Sequence, residues 1–278
     1  MKTQCPPPYR RIEVQPLSGA IGAEIRGADL SSPLDPDLLS EVRRAFLDRL
    51  VICFRDQELT PAEELAFARQ MGEPIPYPQL EGLRGFPLIT EVVKRENERV
   101  NFGGVWHSDT AYLESPPKAS QLYAVEVPPH GGDTIFANQY IAWETLSEGL
   151  KKTLGGLAAV NISSKPEISR TRDDRLREKG ETLKVLSAVH PVVRIHPESG
   201  RKALYVNRAH TVRFEGWTEG ESRPLLEYLF EHQVRPEFTC RIRWEKGTLT
   251  LWDNRCAQHL PLNDYQGYRR LMHRVALA

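Results

Sequence analysis

Two hydrophobic rhythms run along the chain. Leu38, Leu39, Val42, Phe46 and Leu50 recur at helical spacing and predict a helix over residues 35–50, opened by Ser31-Ser32-Pro33. A second helix starts at Thr60-Pro61-Ala62-Glu63, which offers a cap, a first-turn proline and an early acid; it runs to about Met71 and stops at Gly72. Helical patterns return over residues 139–154 and 218–234. Between them lies the second rhythm. Val51-Ile52-Cys53-Phe54 is a short continuous apolar run, the mark of a strand buried on both faces. Strands are expected over residues 88–93, 121–127, 134–137, 240–244, 248–252 and 270–277. Residues 189–196 and 203–207 pair as a hairpin around Pro197–Gly200, and residues 12–30 hold short strands joined by turns.

Two stretches fit neither rhythm. Residues 1–10 are proline-rich and expected to fray. Residues 163–187 are polar and charged without a period; loops of that length are often functional, so the segment is a candidate lid. Nothing repeats and no low-complexity linker divides the chain. One domain over residues 1–278 is expected: mixed α/β, mainly β, a barrel or jelly roll with flanking helices.

Composition narrows the function. The chain has 37 basic and 37 acidic residues, so no global field draws it to nucleic acid or an anionic membrane. Cys5, Cys53, Cys240 and Cys256 are far apart and form no C-x-x-C pair, which suits reduced, packed thiols rather than a disulfide framework or zinc knuckle. Met1–Arg11 has no apolar core segment like that of a secretory signal. No apolar run approaches the roughly 20 residues of a spanning helix. A soluble cytoplasmic protein is expected.

The chemistry centres on Trp106-His107-Ser108-Asp109-Thr110. Residues i and i+2 share a side of an extended strand, so His107 and Asp109 reach one metal only from a strand or its end. His259 lies 152 residues after His107, behind Trp252-Asp253-Asn254-Arg255. Two imidazoles and a carboxylate are the ligand set of non-haem Fe(II) oxygenases. Alone, each of these residues reads as structural, and H-x-D with a distant His is a weak signal. Arg270 and Arg274 add to it. On one strand they share a face roughly 13 Å apart, and two inward arginines are costly unless they meet anions. His273 then points the other way. His190 and His196 suit opposite ends of a strand and a structural role.

Motifs spread over nearly the whole chain carry a resemblance. They begin with Gly22-Ala23-Glu24-Ile25-x-Gly27-x-Asp29-Leu30 and Phe54-Arg55-Asp56-Gln57. Trp106-His107-Ser108-Asp109, Gly131-Gly132-Asp133-Thr134 and His190-Pro191-Val192-Val193-Arg194-x-His196-Pro197 follow. Trp252-Asp253-Asn254-Arg255-x-x-x-His259 and Arg269-Arg270-x-Met272-His273-Arg274 close the series. With these, the chain resembles the TauD/TfdA (taurine dioxygenase) family of Fe(II)/2-oxoglutarate-dependent dioxygenases.

The resemblance implies a double-stranded β-helix, a jelly-roll relative. It implies that His107, Asp109 and His259 ligate Fe(II) and are the catalytic centre. Thr134 and Arg270 would hold the distal carboxylate of 2-oxoglutarate, and Arg274 the anionic group of the substrate. The retained Asp109 implies hydroxylation, since related halogenases lack that carboxylate. Two substrate positions depart from taurine-specific members. Tyr77 falls near the histidine that grips the sulfonate, and Gly103 stands where an asparagine precedes the first metal histidine by four residues. A wider pocket for another sulfonate, a sulfate ester or a carboxylate is expected. The expected partners are 2-oxoglutarate, O2, a small anionic substrate and further copies of the chain in a homo-oligomer. Two other readings stay open: a barrel of the same fold that binds metal or ligand without turnover, and a zinc hydrolase, for which no H-E-x-x-H helix is present.

Overall fold

A continuous apolar run and an alternating one decide where the layers meet. The structure is a computed structural model and describes residues 8–78, 80–101, 103–165 and 184–278. The chain opens with β1 (Glu13–Pro16) and β2 (Ala23–Arg26), then α1 (Pro36–Arg49), β3 (Val51–Phe54) and α2 (Pro61–Met71). A Thr60–Glu63 capping box starts α2, where the sequence pattern put it, whereas α1 opens at an Asp35 cap rather than at Ser31-Ser32-Pro33. Next come β4 (Pro74–Ile75), β5 (Thr90–Lys94), β6 (Ala119–Glu126) and β7 (Thr134–Asn138).

The helix expected over 139–154 is two helices, α3 (Gln139–Glu144) and α4 (Glu148–Leu154). Ser147 separates them: its side chain accepts the Leu150 N–H and begins a new helix, while Leu146 turns into the core. The chain continues through β8 (Ala158–Ile162), β9 (Ser187–Pro191), β10 (Val193–Ile195), β11 (Lys202–Leu204), β12 (Thr211–Phe214) and α5 (Glu219–His232). The long hairpin expected here is shorter. β10 pairs with β11, but β9 pairs with β8, because the chain changes sheets at Val192 just after Pro191. Asn207 lies outside the strand and accepts the His210 N–H in a turn. A 3-10 turn (Pro236–Phe238) leads into β13 (Thr239–Ile242), β14 (Leu249–Asp253), β15 (Ala257–Pro261) and β16 (Arg270–Leu277).

The large sheet runs β1-β2-β3-β14-β6-β16, and the far edge of β16 is shared by β5 and β4. A second sheet, β13-β7-β15, faces it. Val51, Cys53, Leu122 and Met272 of the large sheet and Phe136, Ile242 and Ala257 of the second share one core cluster. The large sheet's other face carries Ile52, Phe54, Leu251, Val275 and Leu277 against Phe46, Leu65 and Phe67 of α1 and α2. Both faces of β3 are thus buried, which is why it reads as an unbroken apolar run. A third cluster joins α3, α4 and α5 to β8, β11 and β12. The two-sheet core is a double-stranded β-helix with helices packed outside.

Residues 1–7 of the expected frayed start, and 166–183 of the candidate lid, lie outside the described residues. The flanks of that segment are joined: the Ser163 N–H donates to the Leu186 carbonyl at 3.0 Å, and the Leu186 N–H donates to Ser163 Oγ at 2.9 Å.

Candidate active site

His107 and His259 are far apart in sequence but direct partners in space. They form an isolated antiparallel bridge, with His107 N–H to His259 O at 3.1 Å and His259 N–H to His107 O at 2.8 Å. Such a pair projects both side chains to one face, and their ring centroids lie 4.1 Å apart. His259 sits within β15, whereas His107 makes only this single bridge. Asp109 follows two residues on and enters a turn at Thr110, whose φ of 48° is left-handed. The His-x-Asp unit is therefore a strand end rather than a strand. Asn254 fixes it from across the fold: its Oδ1 accepts the Asp109 N–H at 2.6 Å, and its Nδ2 donates to the Asp109 carbonyl at 3.0 Å.

Ligand atoms of His107, Asp109 and His259 all fall within 4.8 Å of one another, and the three residues are buried. His107 Nε2 lies 3.7 Å from Asp109 Oδ1. His107 Nδ1 meets the Val105 carbonyl at 2.7 Å, so the proton belongs on Nδ1 and the Nε2 lone pair faces Asp109. Burial lowers the pKa of His107 against the pull of Asp109, and burial with neighbouring His107 drives His259 well below its ordinary value. Burial alone would raise the Asp109 carboxyl, but Arg274, His259, His107 and the Ser120 hydroxyl bring it down to about 2. At neutral pH the trio is two neutral imidazoles and one carboxylate. With a buried His259 Nδ1 that makes no hydrogen bond, this donor set fits a divalent metal. Phe136 stacks on His259 at 5.8 Å between centroids, and Trp252 stands 4.9 Å away, giving the trio an apolar back wall.

β16 alternates as its sequence requires. His273 points outward, to Glu64 Oε1 of α2 at 2.8 Å. Arg270 and Arg274 point inward and line one cavity with His107, His259, Thr134 and Trp244. Arg270 is 5 % exposed; its Nε and Nη2 are buried and have no hydrogen-bond partner, and burial lowers its pKa. Trp244 donates from Nε1 to Thr134 Oγ1 at 2.9 Å, which leaves the threonine's own proton to donate elsewhere. A buried guanidinium with orphaned donors beside a hydroxyl donor suits a carboxylate. Arg274 donates from Nη1 to Asp109 Oδ1 at 3.3 Å and lies over the Tyr77 ring at 3.6 Å. Burial opposes its charge, but Tyr77 and Asp109 more than restore it.

Tyr77 is thus a platform for Arg274. Gly103 is closer to the metal trio than to open pocket. Its φ is +73°, and a Cβ there would lie 2.9 Å from His107 Cε1 and 3.2 Å from Nε2. Trp244, Ser120 and the clamping role of Asn254 escape a sequence reading; only Asn254 lies in a recognisable motif. His196 turns to Asp253 Oδ2 at 2.9 Å, while its Nδ1 accepts the Ser199 N–H at 3.1 Å. Asp253 also holds Arg255, at 2.9 Å to Nε and 2.5 Å to Nη2. His196, Asp253 and Cys256 form a second group of potential ligands, but those bonds occupy the lone pairs and pin the β10–β11 hairpin to the end of β14. His190 likewise serves structure, with Nε2 2.9 Å from the Leu113 carbonyl.

Known proteins resemble this chain in sequence and fold. The chain is 38 % identical over 275 residues to an "Alpha-ketoglutarate-dependent sulfate ester dioxygenase" of Pseudomonas putida, covering 96 % of this chain and 89 % of the relative. A crystal structure titled a taurine dioxygenase, from Burkholderia xenovorans, superposes with a TM-score of 0.83 at 37 % identity, over 96 % of this chain and 89 % of that one. A structure of AAD-2 in complex with Mn(II) and N-oxalylglycine superposes with a TM-score of 0.79 at 27 % identity, over 96 % of both chains. The family description "Taurine catabolism dioxygenase TauD, TfdA family" matches residues 13–276, and the chain belongs to that family.

Proposed function

We propose that this 2-oxoglutarate-dependent dioxygenase uses Fe(II) and hydroxylates a small organic monoanion, with a sulfate ester as the first candidate. In this reading His107, Asp109 and His259 ligate the metal, Thr134 and Arg270 receive the distal carboxylate of 2-oxoglutarate, and Arg274 receives the substrate anion. The observation that carries it is Arg270: a buried cation with two unsatisfied donor nitrogens, on the same strand face as Arg274 and in the cavity lined by His107 and His259. Bound at the trio, Fe(II) supplies, with 2-oxoglutarate and O2, the oxidant that places one oxygen atom in a substrate C–H bond while the co-substrate becomes succinate and CO2.

The chain's own residues do the rest. The Val105 carbonyl holds the tautomer of His107. Trp244 turns the Thr134 hydroxyl so that its proton faces the cavity. Tyr77 stacks beneath Arg274 and keeps its planar fork spread toward the site. Trp252 and Phe136 exclude water behind His259. With a sulfate ester, hydroxylation at the carbon bearing the ester oxygen gives a product that collapses to an aldehyde and releases sulfate. The P. putida relative is named for that substrate class. Tyr77 stands near the position of the histidine that grips the sulfonate in taurine-specific members, and Gly103 at that of the asparagine near the amine, so neither of those taurine contacts is kept.

The first test is anaerobic addition of Fe(II) and 2-oxoglutarate. A visible metal-to-ligand charge-transfer band is expected, and its absence from folded, metal-loaded protein would sink the proposal. Succinate formation over alkyl sulfates, alkyl sulfonates, aryloxyalkanoates and taurine then ranks substrates. Turnover of taurine above the alkyl sulfates would overturn the sulfate ester reading while leaving the chemistry intact.

A further inference from the structure

The two oxygens of Asp109 keep different company. Oδ1 faces His107 Nε2 at 3.7 Å and Arg274 Nη1 at 3.3 Å, on the cavity side. Oδ2 accepts a hydrogen bond from Ser120 Oγ at 2.5 Å. Ser120 is 1 % exposed and belongs to β6, flanked by Trp252 of β14 and Ala276 of β16, so its backbone is held from both sides. The Asp109 backbone is held as firmly by Asn254. The carboxylate's freedom is thus reduced to rotation about its side-chain bonds, and the Ser120 hydroxyl acts on that rotation.

This matters because a carboxylate ligates a divalent metal through one oxygen or through both. Two imidazoles and a one-oxygen carboxylate leave three of six positions open, two for the keto acid of 2-oxoglutarate and one for O2. A two-oxygen carboxylate takes one of those three. We propose that Ser120 is a positioning residue that keeps Asp109 a one-oxygen ligand by engaging Oδ2, and so keeps the third position open. The inference rests on the reading of His107, Asp109 and His259 as metal ligands. Arg274 does not duplicate the role, since it reaches Oδ1. A serine on the face of β6 that Leu122 and Ala124 carry into the apolar core, with its hydroxyl on a buried ligand oxygen, is placed by that contact rather than by packing.

The test uses the full chain loaded with Mn(II), and reads metal-bound water by solvent proton relaxation as well as 2-oxoglutarate affinity by anaerobic titration of the Fe(II) charge-transfer band. In Ser120→Ala the relaxation enhancement per bound Mn(II) is expected to fall by about a third, with Mn(II) affinity kept or increased and 2-oxoglutarate affinity lowered about tenfold. Ser120→Thr, which keeps a hydroxyl on Cβ, is expected to restore both. A hydroxyl that only fills its space would leave the water count unchanged. Wild-type protein that binds Mn(II) only as well as His107→Ala and His259→Ala overturns the metal reading and this proposal with it. Wild-type binding that those variants lose, together with an unchanged water count and co-substrate affinity in Ser120→Ala, overturns the role of Ser120 alone. Loss of Mn(II) binding in Ser120→Ala also overturns it, because Ser120 would then support ligation itself rather than its geometry.

Discussion

Arg270→Met exposes the logic of the co-substrate pocket, because one substitution is expected to raise stability and lower function. In the free protein the Arg270 guanidinium is buried, with Nε and Nη2 unsatisfied. Leaving such donors unpaired costs about 1–3 kcal/mol each. Methionine fills a similar volume with no polar atoms, so the variant without co-substrate is expected to be more stable by about 1–4 kcal/mol, the range seen when buried ion pairs give way to apolar residues. At roughly 2 °C per kcal/mol for a chain of this size, the midpoint rises by about 2–8 °C. Ligand binding moves the other way. Two charge-assisted hydrogen bonds to a carboxylate contribute about 1.5–3 kcal/mol each. Their loss weakens 2-oxoglutarate by on the order of 100- to 10,000-fold, short of abolition because the keto acid end still reaches the metal. The assay is a pair of melting curves, with Mn(II) present throughout. Wild type at 100 times its dissociation constant gains about 2.7 kcal/mol, near 5 °C. Arg270→Met starts higher and gains almost nothing at that concentration. A variant that melts lower than wild type without co-substrate, or that keeps the full ligand shift, refutes the reasoning.

Three further outcomes are expected. Thr134→Val removes the donor proposed for the co-substrate and the acceptor of Trp244 Nε1; calorimetric titration is expected to show 2-oxoglutarate binding about tenfold weaker with Mn(II) binding unchanged, and a loss of metal affinity would contradict it. Gly103→Ala combines a left-handed φ with a Cβ 2.9 Å from His107 Cε1; Mn(II) affinity is expected to fall at least about tenfold if the imidazole must shift, and wild-type affinity would show that it need not. The metal-free protein is expected to gain stability between pH 5 and pH 7. Burial leads the shifts that lower His107, His190, His232 and His259 below 6.5 in the folded state, so the unfolded chain binds more protons in that window. Their stabilisation is complete above 6.5 and is lost as pH falls toward the folded values; melting points in chelator that stay flat or fall over this window would contradict it.

How far the sequence was legible depended on whether a residue's role is local. β16 was readable to the residue, because its two faces meet different things and alternation separates Arg270, Met272 and Arg274 from His273. The start of α2 was readable because Thr60 acts within one turn, whereas at α1 the Ser31-Ser32-Pro33 stretch masked Asp35, whose side chain accepts the Asp37 and Leu38 N–H groups. The break between α3 and α4 was missed: Ser147 is unremarkable in a helical pattern until its hydroxyl caps the next turn. The sheet change at Val192 depends on partners in β8 and β11 that no local pattern encodes. The pairing of His107 with His259 is a register between segments 152 residues apart, and only the resemblance linked them. Ser120 gives no signal at all, since a serine in a strand reads as solvent-facing until Asp109 is beside it.

Charge in the cavity gives the substrate class a physical basis. Arg270 and Arg274 are both buried, and with a divalent metal they bring four positive charges. Asp109 returns one, and the imidazoles are neutral, so three remain. Neither Lys94 nor Asp133 lines the cavity, and Asp133 is held by Arg241 at 2.6 Å. 2-Oxoglutarate brings two negative charges. One positive charge is left over in the cavity as a whole, where burying net charge costs several kcal/mol. A monoanion such as a sulfate monoester neutralises it. A zwitterion such as taurine brings no net charge and would leave that charge in place. In the proposed reading the two buried arginines therefore set the order of preference among ligands: a dianion and a monoanion together would relieve the positive charge that they and the metal bring to the cavity.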